Sequence, residues 1–330
     1  MLGKGSSAMM FVPVCRVRSL VRCIFALAIT FSSAGAHVGT AIAAGAESPA
    51  SRPLSDSIGF AHDQPVLDPG TGRTVSSEET GDLGLTRIVP TYDRTGLLWG
   101  RRYDPDARFW SGPRPAIVVM HGGGGMNVRY LERARWWADQ GYVALVLDSF
   151  GSRGIPENWL TFNRFGGNMR AADAVAAVRY LRGRDGVDLT RIHVSGGSQG
   201  GWAVLRTLTA NAPWSAEAAA TIASGIAWYP VCNRTEDGAV PLGPFTRPVL
   251  FLEGTGDTAT PPEVCADLAS EPGNRAAVYA EATHAFDFRG PPRQHAFWHY
   301  PMRYDPLSTA RALAEAIAWT EGHRIAADGR

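Results

Sequence analysis

Gly196-Gly197-Ser198-Gln199-Gly200 stands between two segments of opposite character. Ahead of it runs Arg191-Ile192-His193-Val194-Ser195, an apolar strand pattern. Behind it, Gly201-Trp202-Ala203-Val204-Leu205-Arg206-Thr207-Leu208 has helical character. A serine two residues from a glycine on either side, between strand and helix, marks a sharp turn that lifts its hydroxyl above a sheet. Side chains at positions 196 and 200 would collide with the neighbouring strand and helix, so glycine is needed there. The serine is expected to carry a strained backbone. The pentapeptide is short and arises by chance in Gly-rich chains. Its weight comes from what surrounds it.

The surroundings alternate. Ile88–Tyr92 and Leu97–Gly100 read as short antiparallel edge strands, because Pro90 does not suit a central one. Buried strands are expected at Ala116–Met120, Val143–Leu147, Ile192–Val194, 221–229, Pro248–Leu252 and Ala276–Tyr279. Helices are expected at 128–140, 167–183, roughly 262–270 and 306–322. Continuous β-branched runs alternating with helices indicate an α/β fold, with a mostly parallel central sheet flanked by helices on both faces. Such sheets bind ligands beyond the carboxyl ends of their strands. No repeat of 20–50 residues is apparent, which argues against a solenoid or propeller.

The chain has 330 residues, 45% hydrophobic composition and a formal net charge of +1. That composition suits a sizeable core, and the charge gives no reason to expect nucleic acid or an anionic membrane as partner. Arg16, Arg18 and Arg22 precede the apolar stretch Cys23–Phe31, and Ala-x-Ala cleavage candidates end at Ala36 and Ala43. Residues 1–44 therefore read as a signal peptide for export to the periplasm or medium, the alternative being a leader ahead of a later start at Met9 or Met10. The apolar stretch is too short for a stable membrane anchor. Residues 45–85 are rich in Ser, Pro, Gly, Asp and Thr and read as an extended or disordered lead-in. Residues 86–330 form one expected domain. Of the four cysteines, Cys15 and Cys23 fall in the signal, leaving Cys232 and Cys265. In an oxidising compartment these are a candidate disulfide; the alternative is two buried thiols.

A serine nucleophile needs a base, and the base an orienting acid. Where an elbow serine comes first, the expected chain order is Ser, then Asp or Glu, then His. Asp257 lies in Glu253-Gly254-Thr255-Gly256-Asp257, just past a strand; it could instead cap the helix near Pro261. His284 follows the last strand end in Thr283-His284-Ala285-Phe286-Asp287, the place for the general base, with a surface histidine as the alternative. Glu253 comes early in its loop, and Asp287 follows the histidine, so both are spare carboxylates. His193 lies within a strand and reads as structural. His295 and His299 have i, i+4 spacing but no Glu between them and no Cys or Asp cluster nearby, so they read as a rim or packing feature and no metal is expected. The third component is an oxyanion hole. Val118-Val119-Met120-His121-Gly122-Gly123-Gly124-Gly125 ends a strand in glycines, whose amides can approach an oxyanion unobstructed. The expected donors are the N–H groups of Gly123 and Gln199. A phosphate loop would need Gly-Lys-Ser/Thr where Met126-Asn127 stands.

With these residues in place, the chain resembles the dienelactone hydrolase family of the α/β-hydrolase fold, from about Arg114 to Trp319. The likeness rests on Met120–Gly125, Leu147-Asp148-Ser149-Phe150-Gly151-Ser152-Arg153-Gly154, the Ser198 turn, Gly254-Thr255-Gly256-Asp257 and His284-Ala285-Phe286-Asp287. The founding members carry cysteine at the elbow, where this chain has Ser198. The resemblance therefore implies a general serine esterase or lactonase acting on a small molecule without a cofactor. In the family an arginine after the fourth core strand contacts a substrate carboxylate. Arg153 occupies that region, and either that role or a loop salt bridge is open to it. Two other functions remain open to the sequence: an exported peptidase resembling the prolyl oligopeptidase group, and a non-catalytic binding protein on the same scaffold. The aromatic-bearing loops 149–166 and 231–246 are expected to shape the pocket. Oligomeric state has no signature here.

Overall fold

The computed structural model describes residues 83–155, 167–233, 241–296 and 298–326. The expected signal peptide, nearly all of the lead-in, and the tips of both aromatic-bearing and pocket-shaping loops lie outside them. Leu83 and Leu85 are already buried ahead of the first strand.

Along the chain come β1 (Thr86–Pro90), β2 (Leu97–Tyr103) and β3 (Arg114–Met120), then α1 (Val128–Asp139) and β4 (Val143–Asp148). Next are α2 (Gly167–Arg182), β5 (Val187–Gly197), α3 (Gln199–Leu208), α4 (Ser215–Thr221) and β6 (Ser224–Trp228). The chain continues with β7 (Val249–Gly254), α5 (Ala266–Ala269), β8 (Arg275–Tyr279), β9 (Arg293–Gln294), β10 (Pro301–Met302) and α6 (Pro306–Gly322). Among the described residues the main sheet has eight strands in the order β1-β2-β4-β3-β5-β6-β7-β8. From β4 to β8 every pairing is parallel; β1 with β2 and β2 with β4 are antiparallel. Pro90 closes the edge strand β1, where a missing donor costs least.

Side-chain alternation explains why both faces are covered. Ala116, Val118 and Met120 of β3 join a core with Ala174, Val175 and Val178 of α2 and Val204 and Leu208 of α3. Ile117 and Val119 point the other way, into a second core with Leu131 and Trp137 of α1 and Ala316 and Trp319 of α6. Local signals start the two helices of that second layer. Asn127 accepts from Arg129 N at 3.1 Å, and Asp305 accepts from Leu307 N and Ser308 N ahead of Pro306 at the first helical position.

The fold corrects the sequence reading in detail. The segment expected to be one strand over 221–229 begins as the end of helix α4, and the strand itself is Ser224–Trp228. The helix expected at 262–270 splits into a 3-10 turn, Pro262–Val264, and the four-residue α5. Cys232 and Cys265 are bridged, with Cα atoms 5.3 Å apart, tying the chain after β6 to the chain after β7.

Strand order reverses at β3, between β4 and β5, and ligands of open α/β sheets bind outside that switch point. Met120 pairs with Gly196 in register, so the glycine run after β3 and the serine turn after β5 emerge side by side.

Candidate active site

Ser198 has φ 58° and ψ −120°, a conformation L-residues rarely adopt and which costs of the order of 1–3 kcal/mol. The flanking glycines make it possible. A Cβ at Gly196 would sit 2.4 Å from the Gly200 carbonyl oxygen, and one at Gly200 would sit 2.5 Å from that of Met120. The helix therefore starts directly against two strand ends, and the serine stands at its tip.

His284 Nε2 lies 3.0 Å from Ser198 Oγ, and His284 Nδ1 lies 2.7 Å from Asp257 Oδ2. The contact with a carboxylate assigns the ring hydrogen to Nδ1 and leaves Nε2 as an acceptor for the serine proton. The imidazole is buried and held edge-on by Tyr229 at 4.8 Å and Tyr300 at 4.9 Å. Asp257 also accepts from Ala259 N and Thr260 N through Oδ1, at 2.8 and 2.9 Å. Burial works to raise the Asp257 carboxyl, but the His284 charge, the His284 hydrogen bond and those of Thr260 outweigh it and hold it below its ordinary value. The acid thus orders its own loop while facing the histidine. Its bonds stop at Thr260, ahead of the 3-10 turn.

The glycine run is fixed from two sides. Gly122 N donates to Tyr130 Oη at 2.7 Å, so that amide is engaged and Gly123 is the next along the loop. The His121 carbonyl accepts from Arg170 Nη2. Arg170 is wholly buried, lies over Phe150, and also reaches Gln199 Oε1 at 3.3 Å. One guanidinium thereby links the loop bearing Gly123 to the first residue of α3. The His121 ring is kept uncharged by burial, with the Arg170 charge adding to the effect.

Gly123, Tyr130, Ser198 and His284 line one cavity of about 550 Å³, a size suited to a small organic ligand. Its wall carries two cations that the sequence reading missed, Arg129 and Arg293. Among the described residues neither has a carboxylate partner, and Arg129 lies over the Phe288 ring. Burial, then the charge of Arg293, lowers the Arg129 guanidinium below its ordinary value.

Arg153 requires correction as a substrate contact. Its guanidinium grips Asp173 at 2.8 Å through both terminal nitrogens and donates to the Ser149 carbonyl at 2.8 Å. It is no part of the cavity wall. A carboxylate 20 residues downstream, on α2, holds that charge. The loop salt bridge is the reading that holds.

The other residues singled out from the sequence also have places. Asp287 accepts from Arg133 at 2.8 Å and from Tyr229 Oη at 2.7 Å, a buried brace behind the histidine loop. Glu253 is buried with Oε1 unpartnered; burial, with Asp257 and Glu263 adding, pushes its carboxyl up to about 7. His193 is buried in β5 with Nδ1 2.9 Å from Ser224 Oγ, and burial pushes it down to about 3. His295 is buried, lines the cavity and stacks on Tyr300 at 4.7 Å, a packing position. Among the described residues no group of three potential ligands could hold a metal ion, and no helix is long and apolar enough to cross a membrane.

This architecture, a mostly parallel sheet with the serine turn after β5, the acid after β7 and the histidine after β8, is the α/β-hydrolase fold. The chain is similar in structure to a dienelactone hydrolase-like protein from Klebsiella pneumoniae subsp. pneumoniae MGH 78578, at 21% identity and a TM-score of 0.56, over 72% of this chain and 97% of that one. It is also similar to esterase 2 of Thermogutta terrifontis phosphorylated by paraoxon, at 24% identity and a TM-score of 0.52, over 72% and 93% of the two chains. A third likeness is to the dienelactone hydrolase-like promiscuous phosphotriesterase P91 from metagenomic libraries, at 21% identity and a TM-score of 0.53, over 73% and 99%. Residues 128–229 match the model of the prolyl oligopeptidase family. No match is found among curated proteins.

Proposed function

We propose that the protein is a serine hydrolase that cleaves carboxylic ester or lactone bonds through an acyl-enzyme. One observation carries the reading: Ser198 Oγ, His284 Nε2 and Nδ1, and Asp257 Oδ2 form an unbroken line of hydrogen bonds, with Ser198 and His284 lining the cavity. Ser198 Oγ attacks the carbonyl carbon as its proton passes to His284 Nε2. Asp257 holds the ring and stabilises the imidazolium, and the oxyanion faces the amides of Gly123 and Gln199. The imidazolium gives its proton to the departing alkoxide. Water, deprotonated by His284, then attacks the acyl carbon and frees Ser198. The chemistry needs neither metal nor organic cofactor.

Arg129 and Arg293 suit an ester or lactone that also carries an anionic group, because two unpaired cations on one wall are relieved by a bound anion. The bridged Cys232–Cys265 pair, with the signal-like N-terminus, supports export to the periplasm or medium. Residues 1–44 would be removed, 45–85 would form the lead-in, and 86–330 the catalytic domain.

The match at 128–229 favours a second reading, a serine peptidase using the same three residues. Incubation with a fluorophosphonate probe, followed by peptide mapping, tests the common chemistry. Label on Ser198 is expected, and an unlabelled folded protein would leave a binding role on a hydrolase scaffold. Hydrolysis of proline-containing peptide anilides with none of p-nitrophenyl esters or lactones would select the peptidase.

A further inference from the structure

Tyr130 stands third in α1, is buried, and lines the cavity that holds Ser198. The direction of its hydrogen bond to the glycine run matters. Gly122 N donates to Tyr130 Oη at 2.7 Å, so the phenol oxygen is an acceptor there and its own hydrogen is not used in that bond. Among the described residues no acceptor takes that hydrogen. A buried hydroxyl with a donor to spare needs a partner, and a ligand in the cavity that Tyr130 lines can supply it.

The position is close to the reacting atoms. A Cβ built on Gly122 would lie 2.9 Å from Tyr130 Oη and 3.5 Å from Ser198 Cβ. The phenol oxygen and the serine therefore flank one small space beside the glycine run. The phenol ring packs T-shaped against Phe288, with centroids 5.2 Å apart and planes at 86°, which holds the ring in place. Burial pushes the phenol up to about 12, so it keeps its hydrogen at ordinary pH. A donor already accepting from an amide is polarised and bonds more strongly in its turn.

We propose that Tyr130 is a catalytic residue, donating its hydroxyl hydrogen bond to the oxyanion alongside the amides of Gly123 and Gln199. When Ser198 Oγ bonds to the carbonyl carbon, the carbonyl π electrons move to oxygen, and the Tyr130 O–H bonds to that oxygen without giving up its proton. The same hydroxyl holds Gly122 N, so the side chain both builds the loop and acts in it. This inference rests on the serine hydrolase reading above.

The test uses Tyr130→Phe with a p-nitrophenyl ester, alongside fluorophosphonate labelling of Ser198 in both proteins. Losing one oxyanion donor lowers kcat by about 10²–10³-fold, and KM is expected to stay within about twofold because the ground-state carbonyl is bound less strongly by that donor. A trifluoromethyl ketone inhibitor, which forms a tetrahedral adduct, should lose affinity by a similar factor. A folded Y130F enzyme with kcat within about threefold of wild type overturns the proposal while labelled Ser198 leaves the hydrolase intact. A wild-type protein that neither labels nor turns over overturns the hydrolase reading and the proposal with it. If Y130F does not fold, site-specific 2,3,5-trifluorotyrosine at position 130 keeps the shape. It should bring an alkaline loss of kcat into the measurable range as the more acidic phenol ionises. An unchanged alkaline profile overturns the proposal.

Discussion

Gly200 presses against His121: a Cβ at Gly200 would lie 2.6 Å from the His121 carbonyl oxygen, which is the atom Arg170 binds from the other side. The turn that raises Ser198 and the loop that would receive the oxyanion are thus one packing unit. Gly200→Ala forces one of them to move. Overpacking of this kind costs roughly 1–3 kcal/mol, and denaturant unfolding should show a loss in that range. Turnover of a p-nitrophenyl ester should fall more steeply than stability, by at least tenfold in protein that is still folded.

Asp257 faces a histidine whose hydrogen it fixes, so Asp257→Asn should leave the fold and remove most of the rate. A drop of about 10⁴ in kcat is the expected scale for a wrong imidazole tautomer. The carboxyl is held below its ordinary 3.8, so its charged form favours the native state. That contribution is full above the unfolded value and fades as pH falls through the lower native one. Thermal melts below about pH 4 should therefore lose stability more steeply in wild type than in D257N.

Glu253 behaves in the opposite sense. Its carboxyl rises from 4.5 to about 7 in the folded chain, so the native state holds a proton that the unfolded state has released. Stability from this group falls as pH rises from about 4.5 to about 7 and stays low above that. Glu253→Gln, neutral at every pH, should raise the melting temperature at pH 8 and leave it unchanged at pH 4. Equal shifts at both values would contradict the assignment.

Arg129 and Arg293 set the expected preference among substrates. Esters with a free carboxylate on the acyl group should be cleaved with higher kcat/KM than neutral esters of the same length. Arg129→Gln or Arg293→Gln should remove roughly tenfold of that advantage, the size of one charge-assisted hydrogen bond at about 1.5 kcal/mol. Neutral p-nitrophenyl acetate should be little affected.

The parts of this protein written in local pattern were legible in its sequence. Apolar runs such as Val143–Leu147 are buried strands because a parallel sheet hides both faces, and the chain order of Ser198, Asp257 and His284 follows from strands β5, β7 and β8 ending at one edge. What pattern could not give was pairing between distant residues. Asp173 lies 20 residues beyond Arg153, on a helix whose facing side no spacing rule connects to that loop, so the sequence leaves both a substrate contact and a salt bridge open to the cation. Arg129 and Arg293 come from opposite ends of the domain, and only the folded loops after β3 and β8 bring them to one wall. The short ribbon of β9 and β10 has two residues per strand, too few to show any period. Tyr130 and Arg170 lie within helices α1 and α2, and what they do depends on which backbone atoms they meet.

The central claim is that Ser198 attacks the substrate, and replacing its hydroxyl measures this most directly. Ser198→Ala should retain the wild-type melting profile, because the side chain removed is small and its structural contacts are through the backbone to Trp228 and Trp202. Hydrolysis of p-nitrophenyl acetate should fall by at least 10⁴-fold, to the residue left by binding and the oxyanion donors. A folded S198A protein that hydrolyses the ester at the wild-type rate would contradict the account.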